Sequence, residues 1–160
     1  MNIRNATIED LQVITEVESR CFPEAEAASE NDFRKRLSVY PIHFWLLEDN
    51  NKVIGFVNGM VTDESILRDE MFEDASLHNE NGQWQMIFGV NTIPEYRRQG
   101  CAEKIISKVI SDAKNQGRKG LVLTCKDKLL HYYEKFGFKN EGISESTHGD
   151  AVWYDMRLTF

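Results

Sequence analysis

The stretch Thr92-Ile93-Pro94-Glu95-Tyr96-Arg97-Arg98-Gln99-Gly100-Cys101-Ala102 decides the fold, because it joins a predicted strand to a predicted amphipathic helix. Apolar residues recur at helical spacing after it, at Ile105, Ile106, Val109 and Ile110. The turn itself holds a cation at Arg97, a glycine at Gly100 and a small residue at Ala102. The backbone N–H groups and the dipole of a helix N-terminus attract anions. The turn is therefore a candidate anion site.

The charge around this turn differs from that of the whole chain. Residues 95–120 carry seven Lys/Arg and three Asp/Glu, whereas all 160 residues carry a net charge of −7. A ligand with a diphosphate is the favoured interpretation, and a plain connecting turn is the alternative. The acidic chain argues against nucleic acid as the main partner, because phosphate contacts need a basic face.

Length and composition predict one globular domain over residues 1–160, with 41% hydrophobic and 28% charged residues. No apolar run approaches the roughly 20 residues of a membrane span. Residues 1–4 lack the apolar stretch of a signal peptide, so a cytoplasmic location is expected. The three cysteines and four scattered histidines show no disulfide or metal-ligand spacing, so no metal is expected.

The remaining patterns predict a mixed α/β sheet with helices on both faces. Capping boxes at Thr7/Asp10 and Ser29/Asp32 mark the starts of two helices. The other predicted elements are a hairpin (42–47 and 53–61), a short helix (67–72), central strands (84–92 and 121–124), a helix (127–136) and a closing strand pair (138–143 and 151–158).

A second motif, Tyr132-Tyr133-Glu134-Lys135-Phe136-Gly137-Phe138, ends the helix predicted over 127–136. Taken alone, it is typical of core aromatics followed by a glycine cap. With the first motif, it resembles the GCN5-related N-acetyltransferases (GNAT), and the resemblance is compatible with the whole chain. Leu77-His78, Leu123 to Asp127 and Gly142 to Gly149 are most similar to the serotonin (arylalkylamine) N-acetyltransferase branch.

The resemblance implies the GNAT fold, a mostly antiparallel sheet of about seven strands with a splayed central parallel pair. The pair corresponds here to Trp84–Thr92 and Leu121–Thr124, with a bulge expected at Asn91 or Thr92. The resemblance also implies acetyl-CoA as co-substrate, its pyrophosphate held by the turn and its pantetheine arm by the strand before it. The implied binding residues are Val90, Asn91, Thr92, Arg97, Arg98, Gln99, Gly100, Cys101, Ala102 and Glu103.

The implied reaction is direct attack of an amine on the thioester, with Tyr133 as the general acid and a strand N–H such as that of Thr92 as oxyanion donor. The base is missing, because Met86 and Phe88 stand where the serotonin-type enzymes have histidines. His78 is the first substitute, since its loop enters the strand. The alternatives are Glu24, Glu26, Asp63, the weaker candidates His43, His131 and His148, or a water chain. Each of these residues is more typical of a solvated surface than of a catalytic base.

Residues 63–74 carry a net charge of −5, which would attract a cationic acceptor, but a solvated loop is the slightly favoured interpretation. A small primary amine of the arylalkylamine or polyamine type is the preferred substrate. Five aromatic residues line either a slot for this substrate or the core: Phe22, Phe33, Phe44, Trp45 and Trp84. The alternatives are a peptide or protein amine, a non-catalytic acyl-CoA sensor and a nucleotide-binding module. Monomer and homodimer both stay open.

Overall fold

Two interrupted strands organise the sheet of this protein, whose computed structural model describes all 160 residues. The strands are β1 (Asn2–Asn5), β2 (Phe44–Asp49), β3 (Lys52–Asn58), β4 (Val61–Thr62), β5 (Trp84–Ile87), β6 (Gly89–Thr92), β7 (Gly120–Cys125), β8 (Lys139–Ile143) and β9 (Tyr154–Thr159). The helices are α1 (Leu11–Cys21), α2 (Glu30–Val39), α3 (Glu70–Glu73), α4 (Cys101–Asn115) and α5 (Leu130–Glu134). No helix is both long enough and apolar enough to cross a membrane.

The strands form two sheets, in the orders β1-β2-β3-β6 and β4-β5-β7-β9-β8. All neighbours are antiparallel except β5 and β7. Residues 59–60 separate β3 from β4, and Phe88 alone separates β5 from β6. When each interrupted pair counts as one strand, the sheet has seven, which confirms the predicted mixed and mostly antiparallel architecture.

Gly59 is required where the β3–β4 strand runs close beside β5. A β-carbon at this position would lie 1.8 Å from the carbonyl oxygen of Met86. Only a residue without a side chain allows the two backbones to approach so closely.

Helices cover both faces of the sheet, as predicted. Phe44 packs edge-on against Phe33 of α2, with ring centroids 6.2 Å apart. The next residue, Trp45, donates from Nε1 to Asp112 of α4 at 2.9 Å. Because successive strand residues point to opposite faces, α2 and α4 lie on opposite sides of β2.

The predicted helix starts are confirmed, and two of the later elements are shorter than predicted. Both capping boxes form, at Thr7/Asp10 and at Ser29/Asp32. The helix predicted over 127–136 is a 3₁₀ turn (Asp127–Leu129) followed by five residues of α5. The last strand begins at Tyr154 rather than at Ala151.

Candidate active site

The parallel strands β5 and β7 separate after one short stretch of pairing. They are in register from Trp84↔Gly120 to Ile87↔Leu123. Beyond Phe88 the chain leaves β7, and β6 pairs with β3 instead. The predicted splay is therefore present. Its predicted position is wrong, because β6 keeps a regular register with β3 through Asn91 and Thr92, and the chain bends at Phe88 instead.

The separation opens a cleft of about 770 Å³. One wall is formed by residues 87–90 and the other by residues 123–126. The segment between α1 and α2, residues of the acidic stretch, His148 and Trp153 surround the mouth. The cleft is thus bounded by strand ends within and by loops outside.

The free edge of β6 presents unpaired backbone groups on the side away from β3. Ile93 N–H donates to Ile54 O at 2.9 Å, in register with the Gly55↔Thr92 pair. Hydrogen-bonded pairs alternate along an antiparallel ladder, so the N–H groups of Val90 and Thr92 point away from β3. Thr92 O, on the same edge, accepts from Arg97 Nε at 3.0 Å and from Cys21 Sγ at 3.4 Å. Of these, Val90 and Cys21 also line the cleft.

The turn after β6 leads directly into α4. Arg98 and Gly100 both adopt positive φ, 62° and 78°, which turns the backbone sharply before Cys101. No side chain caps the helix, and Lys104 N–H is bonded to Gly100 O at 3.2 Å. The N–H groups of the first helical turn, Cys101 to Glu103, have no intrahelical partner. None of residues 97–103 lines the cleft, and β6 connects the two places.

Tyr133 of α5 lies in the β7 wall of the cleft, with 7% of its surface exposed. Its ring packs edge-on against Phe138 at 5.8 Å and against Tyr132 at 5.2 Å. Burial holds the pKa of the Tyr133 phenol well above its usual value, so the group keeps its proton at neutral pH. Its neighbour Tyr132 does not line the cleft.

His78 lies outside the cleft. Its Nδ1 accepts from Val61 N–H at 3.0 Å, and its Nε2 donates to Glu80 at 2.9 Å. The ring stacks on Tyr40 at 4.8 Å. Asn79 N–H donates to Val61 O, so this segment runs beside β4, and both ring nitrogens of His78 are occupied outside the cleft. The role of His78 as proton acceptor stays a prediction, and its contacts do not favour it.

His43, His78 and Glu80 bring three possible metal-ligand atoms within 4.8 Å of one another, a cluster that the sequence spacing did not predict. Gln85 Oε1 accepts from Nδ1 of His43 at 2.9 Å, so Nε2 of His43 faces Glu80. His78 keeps its proton on Nε2, because its Nδ1 already accepts a backbone N–H. A protonated nitrogen cannot ligate a metal, so the cluster offers two ligands rather than three.

Glu18 is the functional candidate that the sequence reasoning missed. It lies on the buried face of α1 with Ile14 and Val17, is 6% exposed and lines the cleft. Burial raises the pKa of the Glu18 carboxyl. A carboxylate within the apolar stripe Ile14, Val17, Cys21 was the available signal, since an acidic residue is rarely buried without a partner.

Carboxylates outnumber cations around the cleft. Glu18, Glu26, Asp32, Asp69, Glu70 and Glu73 line it, against Arg36, Lys126 and Lys128. Half of the acidic stretch thus faces the cleft, and Asp63, Glu64 and Asp74 do not. Of the predicted aromatic slot, Phe22 lines the cleft, whereas Phe33, Phe44 and Trp45 lie in the core.

The loop at residues 144–150 lies across the mouth. Ser146 Oγ and Thr147 N–H both donate to the carboxylate of Asp69. His148 stacks on Phe72 at 5.2 Å, and its Nε2 bonds to Glu26 O at 2.8 Å. These contacts join the loop to the acidic stretch on one side and to the α1–α2 segment on the other.

The cysteines at the cleft are poor nucleophiles. Burial raises the pKa of the Cys125 thiol to about 11 and also raises that of Cys21. A thiol with a raised pKa holds little reactive thiolate at neutral pH. The raised pKa values therefore disfavour a covalent enzyme intermediate on either thiol.

The sequence pattern of the acetyltransferase (GNAT) family matches residues 11–138. This chain belongs to that family. Human N-acetyltransferase 8 is 28% identical over 104 residues, which is 63% of this chain and 40% of that protein. Serotonin N-acetyltransferase of Mesocricetus auratus is 23% identical over 112 residues, which is 69% of this chain and 53% of that protein. The chain thus spans about half or less of the curated relatives that it matches.

The GNAT fold extends over the whole chain. The solved structure of the GNAT-like decarboxylase GphF in complex with isobutyryl-CoA superposes with a TM-score of 0.85. It covers 99% of both chains at 19% sequence identity. At this identity, the likeness supports the fold alone.

Proposed function

We propose that this protein transfers an acetyl group from acetyl-CoA to a primary amine of a small molecule of the arylalkylamine or polyamine type. The observation that carries the proposal is the cleft between the separated strands β5–β6 and β7, with the protonated phenol of Tyr133 in one wall. Family membership supports the reaction class. The carboxylates and aromatic rings at the mouth support a cationic acceptor with an apolar portion.

The turn and the free edge of β6 are the proposed binding elements for acetyl-CoA. Unpartnered N–H groups at the start of α4, from Cys101 to Glu103, suit a pyrophosphate, and the exposed Arg98 supplies a cation beside them. A β-carbon on Gly100 would meet no atom within 4 Å, which leaves room for a ligand at the turn. The outward N–H groups of Val90 and Thr92 suit the amide oxygens of a pantetheine arm.

The chain's own groups provide for the proposed transfer. An N–H of the β6 edge, at Val90 or Thr92, stabilises the oxyanion that forms when the amine attacks the thioester carbonyl. Tyr133 donates its proton to the departing thiolate. A phenol and a thiol have similar usual pKa values, about 10 and about 8.5, and burial keeps the proton on Tyr133 until the thiolate forms beside it.

Release of free thiol from acetyl-CoA tests the proposal. The acceptor panel consists of tryptamine, phenethylamine, spermidine, amino acids and short peptides. We expect turnover with the aryl amines or with spermidine. Acetyl-CoA binding without thiol release from any amine would contradict the proposal and favour a non-catalytic acyl-CoA sensor.

Tyr133→Phe tests the general acid within the same assay. We expect kcat to fall about a hundredfold while the Kd for acetyl-CoA stays unchanged, because the hydroxyl is needed only as the thiolate leaves. Tyr40→Phe is the matched control, since Tyr40 is also a buried tyrosine but lies outside the cleft. Equal rates for the two variants would rule out this role of Tyr133.

A further inference from the structure

The proposed transfer needs a group that removes a proton from the acceptor, because an ammonium ion has no lone pair. Met86 and Phe88 cannot accept a proton, and His78 lies outside the cleft. Of the six carboxylates that line the cleft, Glu18 alone is buried. Glu18 is therefore the first candidate for the proton acceptor.

The two oxygens of the Glu18 carboxylate have different surroundings. Oε2 accepts the backbone N–H of Ala28 at 3.0 Å, which fixes the side chain. Oε1 is buried and makes no close hydrogen bond, and the side-chain amide of Asn91 stands near enough to the carboxylate to favour its charged form. A buried acceptor without a partner costs free energy, and such an atom is typical of a site that a ligand completes.

Oε1 lies at the point where the strands separate. A β-carbon on Gly89, the first residue of β6, would be 3.8 Å from this oxygen. Gly89 follows Phe88, at which the chain leaves β7, and both residues line the cleft. Glu18 thus meets the cleft next to the first residue of β6, with Oε1 beside the Gly89 backbone.

Burial leaves Glu18 a better base than an exposed carboxylate. Burial raises its pKa, and this effect outweighs the opposing influences of Arg36 on α2 and His148 in the 144–150 loop. The amide of Asn91 on β6 and the thiol of Cys21 on α1 complete its polar surroundings. A carboxylate with a raised pKa takes a proton from an amine more readily than an ordinary one.

The other carboxylates considered from the sequence are less suited. Glu26 lines the cleft but is paired with Lys126 at 2.7 Å. Glu24 and Asp63 do not line the cleft. The ion pair occupies Glu26, and their position outside the cleft keeps Glu24 and Asp63 away from an acceptor bound there.

We infer that Glu18 is the proton acceptor of the reaction, acting through Oε1 on an acceptor ammonium bound at the inner end of the cleft. This inference rests on the proposed function. Glu18 takes one ammonium proton and passes it to solvent after turnover. The freed lone pair forms the C–N bond, the C–S bond of the tetrahedral intermediate breaks, and Tyr133 protonates the sulfur. The second proton lost by the nitrogen returns to the Tyr133 phenolate, which balances the transfer.

Glu18→Gln tests the inference, because glutamine still accepts the Ala28 N–H through its amide oxygen but takes up no proton. We expect kcat/KM to fall about a hundredfold at neutral pH, with the Kd for acetyl-CoA and the Tm unchanged. The rate of the variant should rise tenfold per pH unit up to the pKa of the amine, since only amine already deprotonated in solution reacts. The wild type should level off at lower pH.

Glu16→Gln is the matched control, because Glu16 lies on the exposed face of the same helix and the change in charge is equal. Glu18→Asp keeps the carboxylate, so it should keep the wild-type shape of the pH profile at a reduced rate. This profile decides the question if Glu18→Gln does not fold.

Two results would overturn the inference, and they are distinguishable. If the wild type turns over and Glu18→Gln keeps its rate and pH profile, Glu18 is not the acceptor and the proposed function stands. If the folded wild type releases no thiol with any amine, the proposed function fails and the role of Glu18 fails with it.

Discussion

At the residue scale, the loss of water around single polar groups sets the chemistry of the cleft. Burial keeps the proton on the phenol of Tyr133 and on the thiol of Cys125, and it makes the carboxyl of Glu18 less acidic. The ionised form of each group is penalised in an apolar setting. The same physical effect therefore supports an acid and a base in one cleft and disfavours a thiolate nucleophile.

Arg36 is a buried cation with aromatic neighbours. It is 2% exposed, and its guanidinium lies 4.9 Å from the ring centre of Phe88 and 5.1 Å from that of Phe33. It donates to Asn58 Oδ1 and to Phe72 O, each at 2.9 Å. Arg36 thus connects α2 to the end of β3 and to the acidic stretch, part of which lines the cleft.

Arg36→Met should lower the free energy of unfolding by about 3 kcal/mol, because it leaves two buried acceptors without donors and removes the cation–aromatic contacts. Urea unfolding measures this change. Arg34→Met is the matched control on the same helix, where Arg34 is exposed and pairs only with Glu30. Its cost should stay below about 1 kcal/mol. Equal costs for the two variants would contradict the structural role of Arg36.

At the element scale, two strand interruptions build the cleft. Gly59 allows the β3–β4 strand to approach the backbone of β5 closely. Phe88 is the point at which the β5–β6 strand stops pairing with β7 and continues beside β3. After Phe88, β6 pairs with β3, while β7 pairs only with β9 from Thr124 onward. The gap between β6 and β7 therefore results from the change of hydrogen-bonding partner at Phe88, and no loop is needed to form it.

Gly59→Ala should destabilise the protein by about 3 kcal/mol, because the added carbon would lie 1.8 Å from Met86 O and would force the strands apart. Thermal unfolding measures the loss. Gly89→Ala at the other interruption is the matched control, since its added carbon meets no atom nearer than 3.4 Å. A Tm loss of the same size for Gly89→Ala would show that the close approach at residue 59 is not the cause.

At the scale of the whole molecule, charge is unevenly distributed. The net charge of −7 includes a basic segment at residues 95–120 and an acidic stretch at residues 63–74. The first contains the start of α4, and the second contributes Asp69, Glu70 and Glu73 to the mouth of the cleft. Under the proposed function, the anionic acyl donor and the cationic acceptor approach regions of opposite charge.

The double variant Glu70→Gln/Glu73→Gln should raise KM for a cationic amine several-fold at low salt and leave kcat unchanged, because both groups are exposed and act by attraction. The effect should shrink as salt is added, since exposed charges are screened. Steady-state rates at two ionic strengths measure it. Glu9→Gln/Glu16→Gln changes the net charge equally outside the cleft, and an equal effect there would exclude local steering.

The amino-acid sequence by itself determined the local elements and the two motifs. The turn from Arg97 to Ala102, the apolar stripe of α4 and the capping boxes at Thr7 and Ser29 all depend on contacts within a few residues. Short-range sterics and helical periodicity govern such contacts, so the sequence pattern reports them directly. The family resemblance and the position of Tyr133 followed from the same local patterns.

Only the tertiary structure decided which groups share the cleft. Gln85 of β5 and Glu80 hold His43 and His78 outside it, whereas long-range packing buries Glu18 beside Gly89, 71 positions away. The point of strand separation was expected at Asn91 or Thr92 and lies at Phe88, because it depends on which neighbour each strand segment pairs with. Sequence spacing does not encode loss of solvent or pairing between distant segments, and these two quantities define the site.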